Sequence, residues 1–219
     1  MTDLVSFLAL LLAAALPQQT ATSTTSPPPS SSSTTTYHSD VLHFDYAYNS
    51  SLVAAPSAGD DAIKAEKDKA TGTQKTAIGC ITLPLTAIDS STGLRMVLIM
   101  RMDGVCLGAT TPASGLGAVT SSALTESLAR FGAPQMGTTV DYQVAGHSAS
   151  NLSGSVKSEK YGVTFYASAS CLLLGSDVVC WELLASDCAQ LPEMMNYPVS
   201  FDGKGAEPLI PAKLAPVCK

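Results

Sequence analysis

Residues 165–186 read FYASASCLLLGSDVVCWELLAS, and this stretch decides the fold. Two apolar runs flank Gly175-Ser176, a two-residue connection of the kind that closes a β-hairpin. Counting outward with Leu174 opposite Asp177 sets Cys171 opposite Cys180. That register position is non-hydrogen-bonded, where side chains approach most closely. A Cys171–Cys180 bridge is therefore within the reach of a disulfide.

The same reasoning extends upstream. CITLPLTAI (80–88) and LRMVLIMRM (94–102) form a second hairpin about Thr92-Gly93, which brings Cys80 near Cys106. The run MVLIM is apolar on both faces, so its strand belongs in the centre of a sheet. Cys188 is left to pair with Cys218 and tie down the C-terminal tail. An even set of six cysteines behind an export-like leader reads as a disulfide framework. A thiol-redox or metal protein is the rival, but the chain has no C-x-x-C and no Cys/His pair at ligand spacing.

The leader is the apolar run from Leu4 to Leu16, followed by Pro17. It is shorter than the ~18–20 apolar residues of a spanning helix and matches a signal h-region. Ala13 and Ala15 supply an A-x-A pattern, although MTD at the start carries no Lys or Arg. We therefore expect a secretion signal over residues 1–16 and a protein that is secreted or held in the periplasm or cell envelope. Residues 17–36, PQQTATSTTSPPPSSSSTTT, bury too little to offset their ordering entropy and read as a disordered linker. A single domain is expected over 37–203, with an irregular Pro-rich tail over 204–219.

Within the domain, LHFDYAYN is a strand with Phe44, Tyr46 and Tyr48 on one face. AGDDAIKAEKDKATG predicts a helix capped by Asp60 and ended by Gly72. SSALTESLARFGAP predicts the best helix, capped at Ser121 or Ser122, with Leu124, Leu128 and Phe131 as its buried stripe. TTVDYQVAG is a strand, NLSGSVKSEKYG a polar connection or edge hairpin, and SDCAQLPEMMNY a helix that Pro192 kinks or restarts.

Helices separated by antiparallel hairpins indicate an α+β fold. The order strand, helix, hairpin, helix, strand, hairpin, helix, together with VDYQVAGHSASNLSG (140–154), resembles the PsbP/DcrB-like group across residues 40–201. The resemblance implies an α/β/α sandwich, an antiparallel central sheet with helices packed on its faces. It also implies a binding or accessory role, and it supplies no catalytic motif to map. The Ser/Thr/Pro stalk and the number of cysteines depart from the group's usual pattern.

The chain carries 12 Lys+Arg against 18 Asp+Glu, a formal charge of −6, with no basic cluster. That excludes a phosphate-tracking nucleic-acid binder. Membrane contact is expected only through an uncleaved leader. There is no Walker loop, no G-x-G-x-x-G and no H-E-x-x-H, so no cofactor or metal is expected. Asn49-Ser50-Ser51 and Asn151-Leu152-Ser153 fit the N-glycosylation pattern.

GHSAS (146–150) invites a serine-hydrolase reading with Ser148 as nucleophile and His43 or His147 as base. The hydrolase elbow is G-x-S-x-G, with its histidine downstream. Here Ser150 replaces the last glycine, and none of His38, His43 and His147 follows Ser148. Glu182 beside Trp181 is the other candidate, and period-2 alternation turns one outward and one inward. The expectation is a non-catalytic binding or accessory domain for an unidentified protein or small ligand. Its candidate surface is the loop 146–154, with Gly146, His147, Ser148, Ser150 and Asn151, beside the Gly-rich loop 108–120.

Overall fold

The computed structural model describes residues 33–89, 91, 94–109 and 111–214. The leader, most of the linker, the Thr92-Gly93 turn and Cys218 lie outside these residues, and with Cys218 the expected Cys188–Cys218 bridge.

The chain runs β1 (Thr34–Ser39), β2 (Phe44–Asn49), β3 (Val53–Ala54), α1 (Pro56–Lys69), α2 (Gly72–Ile78), β4 (Ile81–Asp89) and β5 (Arg95–Met102). It continues through α3 (Gly104–Leu107), α4 (Leu116–Ala129), β6 (Gln135–Met136), β7 (Val140–Val144), β8 (His147–Ser158) and β9 (Val163–Leu174). It closes with β10 (Asp177–Ala185), α5 (Gln190–Met195), β11 (Pro198–Phe201) and β12 (Glu207–Pro208). The main sheet is antiparallel in the order β3-β4-β5-β10-β9-β8-β6, with β7 also paired to β8. Helices α1 and α4 pack on one face, over a core that includes Met100, Leu124, Leu128, Leu152 and Leu184. The other face carries α5 and a second antiparallel sheet, β1-β2-β11-β12, closed over Phe44, Tyr46 and Trp181. The fold is α+β, as its hairpins indicate. The small sheet covers much of the face on which helices alone were expected.

The register counted for the β9–β10 hairpin holds, while β4 and β5 pair with an irregularity between Thr82 and Leu85. Asp177 lies opposite Leu174 and Cys180 opposite Cys171, and the two cysteines are bonded with Cα atoms 4.0 Å apart. Cys80 and Cys106 form the second bridge, at a Cα separation of 5.5 Å. Strand β5 lies between β4 and β10, which explains why MVLIM is apolar on both faces.

Other expectations require correction. Helix α1 begins at Pro56, whose fixed φ and missing N–H suit a first helical position, so Asp60 lies inside it and does not cap it. It ends at Lys69, and Gly72, at φ 58°, opens α2 instead. Helix α4 begins at Leu116, so neither Ser121 nor Ser122 is its cap and the loop expected over 108–120 is shorter. Pro192 is the third residue of α5, in the first turn, where its missing N–H breaks no bond.

The largest correction concerns 147–158, which is a twelve-residue strand and no loop. Ser150 and Asn151 are buried in it. Asn151 offsets its desolvation by donating to Ser168 Oγ at 2.8 Å and to the Ala169 carbonyl at 2.9 Å. At the domain edges, Thr34–Thr36 belong to β1, and Leu209 and Ile210 are buried against the second sheet.

Candidate functional site

Four turns meet at one end of the two sheets. They are residues 40–43 between β1 and β2, Ala145-Gly146 between β7 and β8, Gly175-Ser176 between β9 and β10, and Asp202-Gly203 after β11. Between three of them and the start of β8 lies a cleft of about 330 Å³. Val41, Leu42, Leu174 and Phe201 form its apolar lining. His43, His147, Ser176, Asp177 and Asp202 supply its polar groups. The ring of His147 lies 4.6 Å from that of Phe201, and the Asp202 amide donates to the His43 carbonyl at 2.8 Å.

The backbone around the cleft is tightly shaped. His43, Ala145 and Asp202 are the positive-φ residues other than glycine among the described residues, at 52°, 48° and 52°. Such conformations cost energy and persist where the surroundings over-determine them. The β9–β10 turn is pinned from behind. Arg101 Nε donates to Asp177 Oδ2 at 2.7 Å, and the Gly104 amide donates to Asp177 Oδ1 at 3.2 Å. Arg101 Nη2 also reaches Asp103 at 3.2 Å, and Asp103 caps α3 by accepting from the Cys106 amide at 2.9 Å. The Cys80–Cys106 bridge then ties α3 to the start of β4, while Cys171–Cys180 staples the hairpin itself.

The expected binding residues divide. Gly146 forms a turn at this end and His147 lines the cleft. Ser150 and Asn151 belong to the sheet interior, so the binding surface expected of them is withdrawn. Ser148 pairs with Gln143 along β8, and strand alternation turns it to the face opposite His147. Asp45 accepts from His38 Nδ1 at 2.6 Å, while Asp40 contacts Nε2 at 3.1 Å. These two carboxylates raise the His38 pKa, and all three groups are exposed. Sequence reasoning missed Phe201, Asp202, Asp177 and Leu174. Asp202-Gly203 was a turn signal available in the sequence, but nothing local linked it to His147.

Glu182 differs from expectation too. It was expected to face water if Trp181 faced inward, yet both are buried, because both faces of β10 are covered. Its carboxylate points toward α4 and accepts from Ser127 Oγ at 2.7 Å. Burial pushes its pKa up to about 7, against the Ser127 hydrogen bond and the Arg130 charge, which favour ionisation. Arg130, one turn beyond Ser127, has both Nη atoms buried without a hydrogen-bond partner among the described residues. Burial lowers its pKa to about 10, opposed by Glu66, Glu182 and Glu126, which leaves it a cation at neutral pH. Among the described residues no cluster of His, Cys, Asp and Glu has the arrangement of a metal site.

No family model and no curated protein matches this chain. Among solved structures it is similar to cyanobacterial PsbP (CyanoP) from Synechocystis sp. PCC 6803, at 10% identity and a TM-score of 0.42, over 76% of this chain and 88% of that one. It is similar to LpqN, involved in cell envelope biogenesis of Mycobacterium tuberculosis, at 13% identity and a TM-score of 0.32, over 53% and 71% of the two chains. It is also similar to PA94 of Pseudomonas aeruginosa, a protein of unknown function and putative regulator, at 16% identity and a TM-score of 0.32, over 52% and 72%.

Proposed function

We propose that this chain is an exported, non-catalytic binding or accessory domain of the cell envelope that takes its ligand in the cleft between the turns. The observation that carries the reading is the cleft itself: apolar Phe201 and Leu174 beside convergent polar groups from separate elements, on a backbone held by an ion pair and two disulfides. A pre-formed concavity that brings apolar and polar side chains together offers a ligand both burial and hydrogen-bonding groups. Its volume suits a small molecule or one or two side chains of a protein partner. Export is supported by the leader-like N-terminus and by the paired cysteines, which persist in oxidising compartments. The non-catalytic reading is supported by Ser148, which faces away from the neighbouring histidine that a hydrolase would need as base.

The test is an NMR titration of isotope-labelled protein with a library of small fragments. Amide shifts confined to residues 41–43, 147, 174–177 and 201–202, and lost in Phe201→Ala, are expected. Shifts that scatter over the surface, or that remain in Phe201→Ala, would remove the cleft from consideration. A fluorophosphonate probe should leave Ser148 unlabelled, and labelling lost in Ser148→Ala would replace this reading with a hydrolase.

A further inference from the structure

The charge at the cleft end of the domain is one-sided. Asp177 has both carboxylate oxygens engaged, and the Arg101 guanidinium that meets it is shared with Asp103. One cation therefore serves two carboxylates. Asp40 and Asp45 likewise share His38 at the turn that carries Val41 and Leu42. The Glu207 carboxylate accepts from the Ala145 amide and has no ion pair among the described residues. Lys204, two residues beyond Asp202, is exposed and does not line the cleft.

Asp202 is the lining residue whose charge is left open. Its amide is committed to the His43 carbonyl at 2.8 Å, which anchors its backbone at the cleft. Its carboxylate has neither an ion pair nor a hydrogen bond among the described residues. On the opposite side of the same turns, apolar surface is left open as well. Val41 lines the cleft and is 66% exposed.

We propose that the cleft selects an organic cation, an ammonium group carried on an apolar body, with the ammonium at Asp202 and the body against Val41, Leu42 and Phe201. The proposal rests on the reading of the cleft as the ligand site and adds the sign of the ligand's charge. An anion entering here meets an excess of carboxylates, so like charge disfavours it. A cation meets an anchored carboxylate with lone pairs to spare, inside a field of its own opposite sign. The apolar body covers side chains that water otherwise wets. A free amine and the lysine side chain of a protein partner share this chemistry.

The experiment titrates the isotope-labelled, disulfide-bonded protein with three probes of one shape, benzylammonium, benzyl alcohol and benzoate. It is run at about pH 8, where an ordinary imidazole is uncharged. Benzylammonium should move amides at 41–43, 147, 174–177 and 201–202, and bind about tenfold more tightly than benzyl alcohol. Added salt should shrink that preference, and benzoate should bind most weakly. Asp202→Asn should weaken benzylammonium roughly three- to fivefold and leave benzyl alcohol unchanged. Asparagine tolerates the left-handed backbone at 202, so this variant keeps the turn. Nα-acetyl-lysinamide then separates the sources: binding tighter than that of benzylammonium supports a partner's lysine, and weaker binding supports a small aromatic amine. Equal binding of the three probes, a preference for benzoate, or benzylammonium binding unchanged in Asp202→Asn would overturn the cation preference and leave the cleft in place. Benzylammonium that moves none of these amides overturns it too, and a fragment titration that also fails there removes the cleft itself.

Discussion

Gly104 lies so close to Ser176 that a Cβ on it would sit 2.0 Å from the Ser176 carbonyl oxygen. The contact is backbone against backbone, so no side chain can turn aside to relieve it. Gly104 also donates its amide to Asp177, which places the start of α3 directly behind the β9–β10 turn of the cleft. Gly104→Ala should therefore cost at least about 1–3 kcal/mol, the range for overpacking a fitted interior. Urea unfolding measures the loss, and amide shifts at Gly175 and Ser176 report whether the turn has moved. An unchanged midpoint would mean that the two backbones are not in contact.

The two disulfides should differ in worth because they close loops of different length. Cys80 and Cys106 are 26 residues apart, Cys171 and Cys180 only 9. Loop-closure entropy assigns about 3.5 kcal/mol to the first and about 2.7 kcal/mol to the second. Paired Cys→Ala variants unfolded in urea give both numbers. The Cys80/Cys106 variant should also broaden amide signals at residues 174–177, since α3 then loses its tie to β4. A larger loss from the short loop would show that packing around Cys171 and Cys180, and not chain entropy, sets the cost.

What was legible in the sequence follows from how local each signal was. The Cys171–Cys180 register could be counted from Gly175-Ser176 because strand alternation is rigid and the turn fixes its origin. Glu182 was misread by the same rule, since alternation assumes one solvated face and β10 has none. Strand β8 was hidden by its composition. Ser150, Asn151 and Ser153 look like loop residues, but the facing strand supplies Asn151 and Ser153 with Ser168 and the Ala169 carbonyl as partners. The cleft was illegible for a different reason. His43, His147, Asp177 and Asp202 stand on turns and strand ends far apart in the chain, and only the packing of two sheets brings them together.

Ala145 offers a gain in stability. The two-residue β7–β8 turn has positive φ at both positions, 48° at Ala145 and 82° at Gly146. That geometry favours Asn-Gly over Ala-Gly, because asparagine tolerates the left-handed region better than alanine. Ala145→Asn should stabilise the domain by roughly 0.5–1 kcal/mol, read as a raised urea midpoint. The Ala145 amide, which donates to the Glu207 carboxylate, is kept in the variant. No gain, or a loss, would show that the side chain at 145 does more than tolerate its backbone.

The pH of greatest stability should lie on the acid side. Burial favours the neutral form of Asp89, but the hydroxyl and amide of Ser91 and the guanidinium of Arg95 outweigh it and hold its pKa below the ordinary value of 3.8. Asp89 therefore contributes stability that is present above pH 3.8 and lost as pH falls through its lowered value. Glu182 has the opposite sign. Its raised pKa gives stability that is full below 4.5 and lost as pH rises through about 7. His38, raised by Asp45 and Asp40, adds in the same direction as Glu182, since its stability is present below 6.5 and lost as pH rises through its folded value. The windows overlap near pH 4–5, below the range of about 5–8 in which maxima usually fall. Urea midpoints measured from pH 3 to 9 should peak there and decline through neutrality, with a slope of up to about 1.4 kcal/mol per pH unit from Glu182. In Glu182→Gln the decline between pH 5 and 7 should be largely gone, while the acid limb set by Asp89 remains. A midpoint that rises from pH 5 to 8 in the wild type would mean that Glu182 is ionised in the folded protein and that Arg130 neutralises it.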